Sequence, residues 1–381
     1  MLQPSEARSE ARRDRLPALV VGAGATGLVA ALGLARHGLP VRIVEKRDGP
    51  SPLSRAVGIL PMSMPLLERA GVADSVRERA VAITDGLIFD HDREIARVPM
   101  DRLHGHRLYA LPQDETETIL ADRLQEFGVE VEYGRPFEAF TQSESHVSAT
   151  VAGETRRYSE LLGADGARSP VREALGLPFE GYDLPSRWSI ADIDVGADVG
   201  GTFRVHLLTD GEAVFAIPIG PQRLRVVATV PDALAALPVD PGTVGVRRAG
   251  DFTIAVRQVP RYRVGRVSLA GDAAHVHSPV GGRGMNLGMA DAAEWARCCA
   301  AGTLSDYSAA RHAAGREIID FTETMRRRVM VPDSLKRRAT LGALGLAIRL
   351  PPALQLINRR ILLPGYEEAR QAEAVAGTAR T

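Results

Sequence analysis

Three glycines near the N-terminus constrain this chain more than any other feature of its sequence. Gly22, Gly24 and Gly27 form a G-x-G-x-x-G pattern between a short apolar run, Leu19–Val21, and a small-residue stretch that suits a helix. In such a unit the first glycine permits a tight turn, the second lets backbone approach a pyrophosphate, and the third lets helix and strand pack closely. The helix N-terminus also offers unpaired N–H groups to phosphates. The pattern therefore predicts a Rossmann-like unit that binds a dinucleotide.

A second strand follows and ends at an acidic residue. Val41–Val44 is apolar apart from one arginine, and Glu45 comes about twenty residues after the glycines. A carboxylate at that place is expected to accept hydrogen bonds from ribose hydroxyls. The pattern does not distinguish NAD(P) from FAD.

Composition narrows the class of protein. The 381 residues suggest two or three domains, and 47 basic residues cancel 47 acidic ones, which argues against a nucleic-acid-binding protein. The two cysteines, Cys298 and Cys299, are adjacent, so neither a structural disulfide nor a four-ligand zinc site is expected. We predict a reducing, cytoplasmic compartment and no bound metal.

Two uncharged or apolar stretches raise the question of a membrane. The run 16–35 follows several arginines, but its four glycines and its change of period favour a strand and a helix over a signal peptide or an anchor. The apolar stretch 341–350 contains Arg349 and is followed by two prolines, which argues against a span. A helix closing over the core or a dimer contact is the better interpretation. We expect no membrane association and a monomer or homodimer.

Three further segments carry a family resemblance. Asp165-Gly166 lies in one of them, and Gly271-Asp272 begins another that continues through Gly281-Gly282-Arg283-Gly284-Met285-Asn286. Leu111–Glu117 matches a stretch at the start of a helix. Together with the N-terminal glycines, these segments resemble the fingerprints of the flavoprotein aromatic hydroxylases of the para-hydroxybenzoate hydroxylase type. The resemblance runs from about residue 17 to about residue 330.

The resemblance implies an FAD-dependent monooxygenase. In such enzymes NAD(P)H reduces non-covalently bound FAD, O₂ adds at C4a, and the flavin hydroperoxide transfers one oxygen atom to an aromatic or polyketide-like substrate. Epoxidation, Baeyer–Villiger insertion, a saturating reductase and a non-redox FAD-holding cyclase or binding protein stay open. A flavin halogenase is disfavoured, because Trp188 and Trp295 are far apart. The resemblance leaves NADH versus NADPH undecided, and the larger hydroxylases carry a further thioredoxin-like domain for which this chain is too short.

A physical interpretation accompanies the resemblance. Asp272 follows a buried strand and is placed to accept hydrogen bonds from the ribityl hydroxyls. The glycines of 281–284 leave backbone uncovered for a flat ring, and the helix that follows aims its positive end at the flavin N1–C2=O group. The candidate cofactor-binding residues are Gly22, Gly24, Ala25, Thr26, Gly27, Glu45, Lys46, Arg55, Gln113, Asp165, Gly271, Asp272, Pro279, Gly282, Gly284, Met285 and Asn286.

Some candidates allow two interpretations. Asp165 either contacts the cofactors or forms a tight turn, with Arg168 and Arg172 as solvated charges. Arg283 replaces the uncharged residue more usual in relatives, and its guanidinium either lies near the isoalloxazine, favouring reduced anionic flavin, or points to solvent. The catalytic residues are unknown, and Arg283, His206 and Arg204 are the candidates. His206 and Arg204 lie on a predicted strand, and the sequence does not reveal which face of that strand points into the pocket.

The expected fold class is α/β, with a Rossmann-like FAD-binding domain, an inserted mixed β-sheet substrate domain and C-terminal helices. The predicted boundaries are a flexible tail (1–15), FAD-binding segments (16–80, 105–180 and 263–330), substrate-domain segments (81–104 and 181–262) and a C-terminal helical region (331–381).

Overall fold

A computed structural model describes residues 15–51, 54–100 and 107–330. Nearly all of the predicted tail (1–15) and the whole predicted C-terminal helical region (331–381) lie outside the described residues.

The described chain alternates strands and helices in its first part and runs mainly through strands in its middle. The strands are β1 (Ala18–Val21), β2 (Val41–Val44), β3 (Gly58–Ile59), β4 (Val81–Ile83), β5 (Asp85–Asp90), β6 (Arg93–Pro99), β7 (Leu108–Ala110), β8 (Val131–Glu132), β9 (Phe137–Gln142), β10 (Val147–Val151), β11 (Glu154–Tyr158), β12 (Leu161–Gly163), β13 (Glu180–Val195), β14 (Thr202–Leu207), β15 (Ala213–Gly220), β16 (Arg223–Ala228), β17 (Thr243–Gln258), β18 (Arg263–Val264), β19 (Val267–Leu269) and β20 (His275–Val276). The helices are α1 (Ala25–Arg36), α2 (Met64–Ala70), α3 (Ala73–Arg79), α4 (Gln113–Glu126), α5 (Pro170–Ala174), α6 (Gly284–Ala301) and α7 (Leu304–Val329).

The first sheet is the expected open α/β sheet. Its six strands lie in the order β18-β19-β12-β1-β2-β8, and the pairs from β19 to β8 are parallel. Side chains of β1, β12 and β19 are buried on both faces, which explains their continuous apolar sequences. The carboxyl ends of β1, β12 and β19 therefore lie side by side at one edge, where ligands of open α/β sheets bind.

Two long helices pack closely on this sheet. A Cβ added to Gly33 of α1 would lie 2.7 Å from the Cβ of Ala296 in α6, so the small residue allows the two helices to approach. Helix α4 packs beside α1 through Ile119, Leu120 and Leu124, all buried in the same core. This packing brings the N-termini of α1 and α4 near the carboxyl edge of the sheet.

The second sheet is mixed and has eight strands. Its order is β20-β17-β13-β16-β15-β14-β5-β6, in which β14 and β5 are parallel and the other neighbours antiparallel. The predicted fold class, an α/β nucleotide-binding unit with an inserted mixed sheet, is confirmed. Among the described residues, no helix combines the length and the apolar character needed to cross a bilayer.

Candidate functional site

The dinucleotide loop, Gly22–Gly27, has the geometry that its glycines predict. Gly22 has a φ of +102°, and a Cβ there would lie 2.3 Å from the Ala164 carbonyl oxygen. A Cβ on Gly27 would lie 1.9 Å from the Gly22 carbonyl oxygen. Gly24 precedes α1, and the nearest atom to its added Cβ is Oε1 of Glu117 at 3.6 Å. The outer glycines thus serve packing, while the middle one leaves backbone open at the helix N-terminus.

Glu45 is held rigidly at the end of β2. Its carboxylate accepts from the Ala23 N–H at 3.0 Å and from the Arg47 N–H and Nε at 3.1 and 3.0 Å. Burial alone raises the pKa of Glu45, but the hydrogen bonds from Arg47 and Ala23 outweigh it and lower that pKa below its ordinary value. A fixed, ionised acceptor therefore lies beside the dinucleotide loop. Its neighbour Lys46 is exposed.

Gln113 links α4 to the segment before β3. Its N–H donates to Ser54 Oγ at 2.9 Å, its Oε1 accepts from the Ala56 N–H at 3.4 Å, and its Nε2 donates to Glu117 Oε1 at 2.7 Å. Arg55, between those two loop residues, is exposed, and its guanidinium lies 5.7 Å from the centre of the Phe252 ring.

Asp165 forms a local turn. Its Oδ2 accepts from the Val171 N–H at 3.0 Å at the start of α5. Arg172, a solvated charge in the tight-turn interpretation, is instead buried: it donates to the Ala273 and Ala167 carbonyls and lies over the Phe179 ring at 4.1 Å. Arg172 thus ties the Asp165 turn to the turn that carries Asp272, a connection that separation in sequence conceals.

Asp272 lies in a 3₁₀ turn, Gly271–Ala273, directly after β19, and its side chain is exposed at the carboxyl edge of the sheet. Gly271 has a φ of +58° and faces Thr26 of the dinucleotide loop, whose Oγ1 would be 2.7 Å from an added Cβ. The two predicted cofactor segments therefore meet. Thr26 also packs against Gly288 of α6.

Behind this turn lies a buried charged cluster that the sequence interpretation missed. Asp291 of α6 is fully buried and accepts from the Gly271 N–H at 3.1 Å, from His275 Nε2 at 2.6 Å and from Arg311 Nε at 2.7 Å. Burial raises the pKa of Asp291, but Arg311 and His275 outweigh it and lower that pKa. The signal in the sequence was an acidic residue among the apolar positions of a helix.

The glycine loop, Pro279–Gly284, leads into α6 with its backbone uncovered. Gly281 and Gly282 are exposed and have φ of +87° and +62°, and an added Cβ on Gly282 or Gly284 would meet nothing within 4 Å. Pro279 is exposed and Met285 is partly exposed. These positions leave room for a flat ring against the backbone.

Asn286 holds that loop in place through its side chain. Its Oδ1 accepts from the Leu60 N–H and Ser63 Oγ, and its Nδ2 donates to the Gly58 and Gly282 carbonyls, all between 2.7 and 2.9 Å. The side chain is saturated by protein groups, so contact with a cofactor would fall to the backbone of this residue.

Arg283 does not point to solvent. It is 1% exposed, its Cζ lies 4.7 Å from the centre of the Phe321 ring of α7, and its Nη1 lies 3.8 Å from Met62 Sδ. Burial lowers its pKa to about 10, so the guanidinium stays charged near neutral pH. A cation is therefore fixed beneath the glycine loop.

The second sheet presents an aromatic inner face toward this loop. The Trp188 and Phe215 rings stack with centroids 6.2 Å apart, and Phe203 continues the stack at 6.4 Å. Trp188 shares an apolar cluster with Val280 of the glycine loop and with Ile319 of α7. The inner face is thus the surface of the sheet that meets the candidate cofactor site.

The catalytic candidates Arg204 and His206 lie on the opposite, outer face. In β14 they alternate with Phe203 and Val205, and Val205 pairs with Phe215. His206 is buried, stacks on Phe89 at 4.5 Å and bonds the His91 carbonyl through Nδ1 at 2.8 Å. Burial lowers its pKa. The structure therefore does not bring these two side chains to the inner face.

An ionic cluster joins the inner face to the segment that carries Arg55. Arg225, fully buried in β16, donates to both carboxylate oxygens of Asp192 at 2.7 and 2.9 Å and to the Ala56 carbonyl at 3.0 Å. Arg248 also donates to Asp192, at 2.5 Å. Burial raises the pKa of Asp192, but the two arginines lower it overall. Residues far apart in sequence thereby set the position of one loop.

These features together define a dinucleotide-binding protein with a flavin-type site. The open backbone at Gly24, the ionised Glu45 and the exposed Asp272 suit the adenosine, diphosphate and ribityl parts of FAD, and the uncovered glycine loop suits its ring.

The comparisons with known proteins agree with this class. Residues 15–322 match the family described as FAD binding domain, so the chain belongs to that family. It is 33% identical to a rifampicin monooxygenase of Streptomyces venezuelae over 332 residues, covering 80% of this chain and 70% of the relative. It is 31% identical to a 6-methylpretetramide 4-monooxygenase of Streptomyces rimosus, covering 90% of this chain and 68% of the relative.

A solved structure of a monooxygenase also resembles this chain. The p-nitrophenol 4-monooxygenase PnpA of Pseudomonas putida superposes with a TM-score of 0.82 at 25% identity, covering 90% of this chain and 96% of that one. The predictions of an FAD-dependent monooxygenase and of FAD as its cofactor are confirmed.

Proposed function

We propose that the protein uses NAD(P)H and O₂ to insert one oxygen atom into a planar aromatic or polyketide-like substrate. The observation that carries this proposal is the aromatic inner face, where the partly exposed rings of Phe215 and Phe203 stack next to the buried Trp188. Flat rings bind well against such surfaces, because aromatic pairs stack at centroid distances of about 4.5–7 Å. The names of the relatives, a rifampicin monooxygenase and a 6-methylpretetramide 4-monooxygenase, support a substrate of this kind.

Non-covalently bound FAD supplies the redox and oxygen-transfer chemistry, and the chain supplies orientation of the reactants, electrostatic stabilisation and exclusion of water. Backbone N–H groups of the glycine loop and the N-terminus of α6 would stabilise negative charge on the flavin N1–C2=O group. The apolar cluster that contains Trp188, Val280 and Ile319 would exclude water from the reacting ring. Asp192 adds no free negative charge there, because Arg225 and Arg248 neutralise it.

The remaining predictions belong to the same proposal. We propose the contacts of FAD with the candidate residues named above, a share for Asp165 in binding the nicotinamide cofactor, and the division into FAD-binding and substrate domains. The balanced charge and the adjacent cysteines support a cytoplasmic protein without nucleic-acid or membrane partners, acting as a monomer or homodimer.

The test is a screen of purified holoprotein for aromatic compounds that accelerate oxidation of NADH or NADPH in air. We expect a product heavier by one oxygen atom, with the label recovered from ¹⁸O₂. Epoxidation and Baeyer–Villiger insertion add the same mass, so the structure of the product separates them from hydroxylation. A product formed without oxygen and without NAD(P)H would instead indicate a cyclase and overturn the proposal.

A pair of variants tests the location of the substrate. Phe215→Ala on the inner face should raise the KM for the substrate, whereas Phe89→Ala, which removes a stacked ring from the outer face of the same sheet, should not. Equal effects of the two variants would place the substrate elsewhere.

A further inference from the structure

A buried carboxylate rests on the N-terminus of α1, where the dinucleotide loop is built to take a diphosphate. Glu117 of α4 is 5% exposed, and its Oε1 accepts from the Ala25 N–H at 3.3 Å. The same oxygen accepts from Gln113 Nε2 at 2.7 Å and is the nearest atom to the open side of Gly24. Helix α1 has no acidic residue in its own first turn, so Glu117 comes from outside the helix. Glu117 thus places a carboxylate from another helix at the N-terminus of α1.

Some groups around Glu117 favour its ionised form and others favour its protonated form. Burial and Asp114 of the same helix disfavour its ionised form, while Gln113, Arg47 and the Ala25 N–H favour it. Glu45, which follows β2 and is bonded to Arg47, and Tyr133, which follows β8, complete the surroundings. Burial is the largest of these influences, and the pKa of Glu117 lies above its ordinary value.

A bound diphosphate would favour the protonated form of Glu117. At the N-terminus of α1 its oxygens would compete with Glu117 for the Ala25 N–H, and this would weaken one of the interactions that favour the carboxylate. Its negative charges also lie beside Glu117 in a water-poor site, where like charges repel strongly. A protonated carboxyl can stay in place and donate a hydrogen bond to a phosphate oxygen, whereas an ionised one cannot.

We propose that FAD binds together with one proton, which Glu117 takes up from solvent. The carboxylate beside the N-terminus of α1 becomes a neutral carboxyl, and it donates to the diphosphate bound there. The inference rests on FAD as the cofactor and is independent of the substrate or the reductant.

The sign of the pH dependence follows from linkage. Below the pKa of Glu117 in the cofactor-free chain the proton is already present, and the Kd for FAD does not change with pH. Between that pKa and the higher pKa of the complex, each binding event takes up a proton, so the Kd rises by up to about tenfold per pH unit.

The experiment is equilibrium dilution of the full-length holoprotein, with the fluorescence of released FAD measured from about pH 5.5 to about pH 9. The wild type should bind FAD more weakly as the pH rises. Glu117→Gln imitates the protonated form, so its Kd should stay level over the same range and be lower than that of the wild type at the alkaline end. Glu115→Gln removes the same charge from the same helix turn and should keep the wild-type slope.

Two results would overturn the proposal: a wild-type Kd that does not change with pH, or a slope in Glu117→Gln as steep as that of the wild type. Gln113→Met provides a second test if Glu117→Gln does not fold. It removes the 2.7 Å donor that favours the carboxylate, so the pH at which the Kd begins to rise should increase. An unmoved profile in Gln113→Met would exclude Glu117 as the group that takes up the proton.

Discussion

Replacing Asp291 by Asn should cost a large share of the free energy of unfolding. The carboxylate is fully buried and accepts from Arg311 at 2.7 Å, from His275 at 2.6 Å and from the Gly271 N–H. Asn is nearly isosteric but uncharged, so the guanidinium of Arg311, itself 8% exposed, would lose the buried carboxylate to which its Nε donates. Breaking a buried ion pair by removing one partner typically costs about 3–5 kcal/mol. We expect a loss of about that size.

The assay is urea unfolding at saturating FAD, followed by far-UV circular dichroism. Glu154→Gln is the control, because Glu154 of β11 pairs with Arg156 away from this cluster and the two side chains are 51% and 58% exposed. Such partly exposed pairs contribute about 0–1 kcal/mol. Replacing both partners, with Asp291→Leu and Arg311→Met together, should recover much of the loss, since no buried charge is then left alone.

The pH dependence gives an independent check. Although burial raises the pKa of Asp291, Arg311 and His275 hold it below its ordinary value. Its ionised form therefore contributes stability above the carboxyl pKa of the unfolded chain, about 3.9, and this contribution is lost as the pH falls through the folded-state pKa. A loss under about 1 kcal/mol for Asp291→Asn at neutral pH would refute the reasoning.

Three further predictions concern the cofactor. Arg283→Gln should lower the flavin reduction potential, by about 30 mV for each 1.4 kcal/mol of lost stabilisation of the anionic reduced ring, with FAD content nearly unchanged. A reductive titration against a reference dye measures the potential, and an equal potential in both proteins would remove the guanidinium from this role. Glu45→Ala should weaken FAD binding by about 1.5–3 kcal/mol if both ribose hydroxyls bond the carboxylate, as measured by fluorescence of released FAD; unchanged affinity would contradict the assignment. Asp272→Ala should impair FAD retention and flavin reduction more than Asp165→Ala impairs retention, because Asp272 is exposed at the sheet edge whereas Asp165 is engaged with the Val171 N–H. Flavin content and stopped-flow reduction compare the two variants, and negligible effects in both would exclude both residues.

The sequence alone determined the features that depend on local backbone sterics. The spacing of Gly22, Gly24 and Gly27 predicted the turn, the helix and the close packing of that helix on the strand, because a Cβ at the first or third position would collide with a carbonyl oxygen. Likewise, Glu45 was expected at the carboxyl end of β2, since the four residues before it are apolar apart from Arg42. Spacing within a strand–turn–helix unit is set by a few dihedral angles, and residue types report those directly.

Only the tertiary structure decided which side chains face each other across distant segments. Strand alternation placed Arg204 and His206 together but could not select a face, and the pairing of β14 with β15 and β5 put them on the outer one. Asn286 meets the Gly58 carbonyl from 228 positions away, and Glu117 meets the Ala25 N–H from 92. Arg283 could have been solvated but is buried against Phe321 of α7. Such contacts depend on how whole elements pack, and a residue's neighbours along the chain carry little information about that.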